Sequence, residues 1–326
     1  MGVHDLGYRD WETAPRNEWL QWWIIAQTGI RLAWRSRWLR RMLFFAWLPT
    51  LYLAVGFFAY EQSLETTGSG AWFQEVLEEL PDGRRLLQEM AEDPAAARHL
   101  AWAWLLLSLF RYSQAVLMLL LIGLIGPQLI SRDVRSRAFL LYFSRPLSAW
   151  EYVLGKASVV WFYIAAISTA PALALYGLGV LLSPNLGVVA DTWDLPFRIL
   201  AASVLLMVPT TALILMFSSL TTESRYAGFA WFATWVLGWV TYVVLSVIEF
   251  QADFENFEFD DPSNSFAETS RWSFVSLYHM LGQIQGWVFG LEGSLGSVLP
   301  LIVVVAVITG VATTVLLRRV AGQVRA

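Results

Sequence analysis

The chain has 326 residues, of which 57% are hydrophobic and 15% charged, at a mean hydropathy of +0.52. That is far more apolar surface than one soluble core buries, so an ordinary water-soluble enzyme or binding domain is excluded. The absence of cysteine excludes disulfides, thiolate metal sites and thiol catalysis, and the net charge of -4 marks no nucleic-acid partner.

Residues 1–41 hold seven Arg together with Asp5, Asp10, Glu12 and Glu18. They lack the basic start, short apolar core and small-residue cleavage site of a signal peptide, so the amino terminus is expected to stay in the cytoplasm. Within them, Trp19, Trp22, Trp23, Trp34 and Trp38 are interleaved with Arg31, Arg35, Arg37, Arg40 and Arg41. Tryptophan favours the bilayer interface and arginine snorkels to phosphates, which predicts an amphipathic helix on the inner leaflet. Such a helix either anchors the topology or cradles a cytoplasmic partner.

Beyond residue 41 six apolar runs are long enough to cross about 30 Å of hydrocarbon as helices. They are Met42–Tyr60, Ala103–Ile130, Ala157–Leu182, Leu195–Leu220, Ala227–Ile248 and Val298–Leu317. The predicted fold is therefore an all-α polytopic membrane protein, with a transmembrane domain over 42–326. Between the first two spans, loop 61–98 is acidic, and Trp72, Phe73, Val76, Leu77 and Leu80 predict a short helix ending at Pro81. Its carboxylates have no calcium-loop spacing and read as a solvated face.

The second run contains Arg111, and an arginine at the centre of a lipid-exposed helix costs roughly 2.5–3.5 kcal/mol on insertion scales. Two readings are open. If the hydrocarbon-crossing part begins near Tyr112, Arg111 lies at the outer headgroups and Ala101–Phe110 project outward; otherwise it lines a path or gate.

Loop 131–156 opens with Arg132, Asp133, Arg135 and Arg137, where Asp133 and Arg137 are spaced to pair along a helix. An apolar run, Phe139 to Phe143, follows and needs something to cover it. Pro146 stops the helix, and Ser148 with Glu151 forms a capping-box pattern that starts the helix of span three. A short helix over about 132–143, a proline turn and a newly capped span would carry motion of the loop into spans two and three.

After span five, residues 249–268 read as irregular and acidic. Residues 270–296 are too interrupted for another span and predict short helices dipping into the outer leaflet, with Gly282, Gly286 and Gly290 allowing close helix approach. Charge placement supports this layout: 16 of the 22 basic residues fall in 1–41, 131–156, 221–226 and 318–326, and 19 of the 26 acidic ones fall on the other side. Lys and Arg are retained in the cytoplasm, so both termini are expected there.

Enzyme chemistry is not expected. His4, His99 and His279 are scattered, and no HExxH or GxSxG pattern occurs. Gly155-Lys156 is no phosphate loop, because Trp150 replaces the required glycine and Ala157 stands where Ser or Thr is needed.

The order of features in 128–156, QLISRDVRSRAFLLYFSRPLSAWEYVLGK, resembles the loop between the second and third spans of ABC-2 type permeases, the membrane subunits of many ABC exporters. The six-span layout is similar more loosely. The resemblance implies a permease that binds no cofactor itself, with ATP and Mg2+ on a separate ABC ATPase subunit. A second permease subunit, identical or paralogous, would complete it in a bacterial cytoplasmic (inner) membrane. It assigns docking of the ATPase to Arg132, Asp133, Arg135, Arg137, Leu140, Tyr142 and Arg145. Pro146, Ser148, Glu151, Gly155 and Lys156 then form the hinge into span three. Two rivals remain: a subunit that transports nothing and transmits force to an extracytoplasmic partner through 61–98 and 249–293, and a passive channel or membrane anchor.

Overall fold

A computed structural model describes residues 21–65, 94–136, 138, 147–183, 187–255, 271–291 and 294–325. All regular structure among them is helical. In chain order the helices are α1 (Gln21–Trp34), α2 (Arg37–Ala46), α3 (Leu48–Glu65), α4 (Pro94–Tyr112), α5 (Leu119–Ile125), α6 (Pro127–Arg135), α7 (Ala149–Ile164) and α8 (Ala170–Leu182). They continue as α9 (Gly187–Asp191), α10 (Leu195–Leu220), α11 (Ser224–Glu255), α12 (Leu277–Phe289) and α13 (Leu295–Arg325). The π-helical segments Ser113–Met118 and Ala165–Thr169 interrupt α4–α5 and α7–α8, and a 3-10 turn, Arg271–Val275, precedes α12.

Six helical stretches are long and apolar enough to cross a membrane: Arg37–Phe58, Ala96–Arg135, Ala149–Leu182, Leu195–Leu220, Ser224–Glu249 and Leu295–Gly322. They match the predicted runs in number and order and outrun most of them. Hydropathy detects only the apolar part of a helix, whereas capped polar turns extend it; span three begins at Ala149 because Ser148 caps it. The helix of span five likewise continues to Glu255 through part of the stretch expected to be irregular. Residues 1–20, the predicted helix near Pro81 and residues 256–270 lie outside the described residues.

Leu195–Leu220 is the central span. Its membrane window is 61% buried, against 11% for Ser224–Glu249. It packs on α6, α7, α8, α11, α12 and α13. Small polar side chains stitch the spans beside two of the prolines. Pro171 has no N–H for the carbonyl of Ile167, and the hydroxyl of Ser113 on span two bonds that carbonyl at 3.1 Å. At Pro127, Ser218 Oγ of span four accepts from Ile130 N and Ser131 N at 3.0 Å and donates to the Pro127 carbonyl at 2.8 Å, tying the start of that helix to span four. The two π segments therefore face one another across spans two and three.

Two predicted helices have protein seats that the sequence did not show. The predicted surface helix α1 has a protein seat along α7. A Cβ on Gly155 would strike Ile25 and the Trp22 carbonyl, one on Gly29 would strike Val159, and Tyr163 donates to the Ile30 carbonyl at 2.9 Å. That register makes the two helices parallel. At the opposite end α12, in the segment predicted to form short helices before the last span, is buried among spans two, four, five and six. Two of the glycines here make room for arginine side chains, Gly282 beside Arg111 and Gly290 beside Arg198. Gly290 also ends the helix with φ 78°, a left-handed conformation suited to glycine.

Candidate functional site

Arg132, Asp133, Lys156, Glu223 and the Ser148 cap gather at one end of the bundle. The described part of the predicted loop helix, Arg132–Arg135, is the last turn of α6 and so is continuous with span two. No breaker separates it from Pro127, and Ser136 ends it by donating to the Arg132 carbonyl at 2.8 Å.

The centre of this end is a three-residue cluster. Lys156 Nζ lies 2.6 Å from Asp133 Oδ2, and the Tyr152 hydroxyl donates to the same oxygen at 2.7 Å. The Lys156 and Asp133 side chains are only 10% and 15% exposed. The amine also stands over the Tyr152 ring at 5.4 Å. Separating an ion pair so shielded would leave two desolvated charges without partners, so the pair fixes its two helices in register. The ends of spans two and three are thereby joined.

Arg132 and Arg135 point to solvent on the outer side of that joint. Arg135 makes an exposed ion pair with Glu223 at 3.4 Å, and Ser131 Oγ meets Ser224 Oγ at 2.8 Å, so the span four–five turn is tied to the same surface. The capping box is present as predicted, with Ser148 N donating to Glu151 Oε2 at 2.8 Å and Glu151 N to Ser148 Oγ at 3.2 Å. Gly155 lies under α1, and Lys156 is committed to Asp133, which leaves neither placed to cradle a phosphate. Arg137, Leu140, Tyr142, Arg145 and Pro146 lie outside the described residues.

Sequence reading missed Tyr152 and Glu223. Tyr152 was within reach, being four residues before Lys156 and so on the same helix face. Glu223 had no local signal, since its partner is on another span.

At the other end a second polar network joins α4, α9, α10 and α12. Arg98 pairs with Asp191 at 3.2 Å, and Asp194 accepts from Arg198 at 2.6 Å beside His99 at 3.0 Å. Arg198 also donates to the Val288 carbonyl at 2.8 Å. Burial works against the charge on Asp194, but the hydrogen bonds and charges of His99 and Arg198 outweigh it and hold its pKa below the usual value. Arg111 is placed on α4 against α12, with its guanidinium 3.6 Å from the centre of the Tyr278 ring and bonded to the Tyr278 carbonyl. Among the described residues no group of three or more His, Asp or Glu converges to hold a metal ion.

A family profile described as ABC-2 family transporter protein matches residues 23–320, which takes in all six spans and both polar ends. No curated protein shows significant similarity to the chain.

Proposed function

Since the chain belongs to the ABC-2 transporter family, we propose that it is the permease subunit of an ATP-driven exporter. A separate ATPase carries ATP and Mg2+ and docks at the end bearing residues 131–156. That end faces the cytoplasm of a bacterial cell, and a second permease subunit completes the path. The observation that carries this reading is the Asp133–Lys156–Tyr152 cluster. A partner pressing on the exposed Arg132 and Arg135 acts on two spans at once, because the buried ion pair stops one from sliding past the other. ATP binding would draw the ATPases together and rock the two permease bundles outward.

The test is a mild-detergent pull-down of the tagged full chain, analysed by mass spectrometry. A nucleotide-binding ATPase is expected to co-purify and to be lost from the variant carrying Arg132→Glu and Arg135→Glu. Both positions are exposed, so that variant should elute as folded protein. An ATPase retained by the variant would refute this docking surface. No ATPase on folded wild-type protein would sink the permease reading and favour a passive channel or membrane anchor.

A further inference from the structure

Arg111 lies partway along span two, about 20 Å along the helix from the Arg98–Asp191 pair. The residues between do not project beyond the bundle: Trp102 is buried against Phe57 at 5.0 Å between ring centres and close to Gly179 of span three. A cation packed between two helices needs polar company. Tyr278 supplies a carbonyl and a ring face, and Gly282 leaves space that any Cβ would close.

The same contacts open a groove of ≈ 610 Å³ between α4 and α12, with Ser108, Arg111, His279 and Gln283 on its polar side and Trp104 and Leu107 on its apolar side. Below it, Tyr112, Val116, Leu120 and Leu124 form an exposed apolar stripe running down span two. A guanidinium fork, neutral hydrogen-bonding groups, and an apolar track leading away from them form a head-and-tail arrangement.

We propose that this groove binds an amphiphile with one anionic phosphate or carboxylate head, the head on Arg111 with Ser108 and Gln283 beside it and the chain along the Tyr112–Leu124 stripe. Burial and the neighbouring Arg111 push the His279 pKa down to about 4, so at neutral pH this imidazole adds no second positive charge. The site is separate from the proposed ATPase-docking end and stands whether or not an ATPase binds there.

The test titrates the full chain in a non-ionic detergent with dioleoyl phosphatidylglycerol, dioleoyl phosphatidylcholine or inorganic phosphate, following the thermal midpoint by tryptophan fluorescence. Phosphatidylglycerol is expected to act at about tenfold lower concentration than phosphatidylcholine, and that advantage to vanish in Arg111→Gln. Ala115→Trp, which fills the groove and leaves Arg111 in place, should abolish it equally and keeps the test decisive if Arg111→Gln does not fold. Equal responses to the two lipids, or an undiminished phosphatidylglycerol response in folded Ala115→Trp, would overturn the site. An equal shift with inorganic phosphate alone would overturn the amphiphile and assign a soluble anion instead.

Discussion

Asp133 and Lys156 each satisfy the other in a place where neither would be stable alone. Removing one leaves an uncompensated, mostly desolvated charge, so Lys156→Met should cost about 3 kcal/mol. Removing both, as Asp133→Leu with Lys156→Met, should recover most of that loss, because the desolvation of both charges disappears with them. Denaturant melts of the purified protein in detergent measure both. If the double variant is no more stable than the single one, the pair is not what holds this joint. A second residue-scale effect concerns pH. His279 is held neutral in the fold with a pKa near 4 against 6.5 for the free side chain, so the unfolded chain binds more protons between these values. Stability therefore falls as pH drops from about 6.5 to about 4. Asp194, whose folded pKa lies below 3.8, adds stability that is present above that value and lost on further acidification. The thermal midpoint should decline across the upper window, and His279→Phe should flatten that decline.

The helices depend on a few close approaches. Gly155 lets α1 lie against α7, and Gly155→Leu should dislodge α1 at a cost of about 1–3 kcal/mol. Limited proteolysis should then cut between α1 and α2 while the rest of the bundle stays intact; unchanged protection would show that α1 is held elsewhere. Ser218→Ala would remove the hydroxyl that ties the Pro127 carbonyl and the Ile130 and Ser131 N–H groups to span four, at about 1 kcal/mol. These dependences also mark what could be read from sequence. The spans and the Ser148 cap were legible, because apolar length and a three-residue capping spacing are local properties. The seat of α1, the burial of α12 and the π segments were not. A π turn differs from an α turn by one residue in a uniformly apolar run, and the bonds that accompany it, Ser113 to Ile167 or Thr169 to Ser203 at 2.8 Å, join separate spans. At the candidate site the arginines were legible as a cluster, whereas the Asp133–Lys156 bond was not, since each residue had a nearer candidate or none.

The whole bundle is asymmetric. Span four fills its centre, while span five leaves most of its surface outside, including Phe229 and Leu237. In the proposed two-subunit assembly, span five is the face expected to meet the second copy. The chain has no cysteine, so a single Leu237→Cys tests this directly. Oxidation in the membrane should give a covalent dimer, and Val307→Cys on the exposed side of span six should give much less. Equal yields at both positions would mean that collision, not a fixed interface, brings the copies together.

The excess length of span three has a mechanical meaning. Its 34 residues extend about 50 Å where about 30 Å spans the hydrocarbon, and the polar residues Glu151 and Lys156 place the surplus, about 20 Å, at the capped end. Pinned to span two by the ion pair, that surplus would act as a crank with its handle outside the bilayer in the proposed permease. A sideways push of about 2 Å at its tip would tilt the helix by about 6° and swing its far end by about 3 Å if the pivot lay at the membrane surface. Displacement is magnified and force reduced in the same ratio, so the energy that reaches the far side of the membrane depends on how stiffly Lys156 holds Asp133.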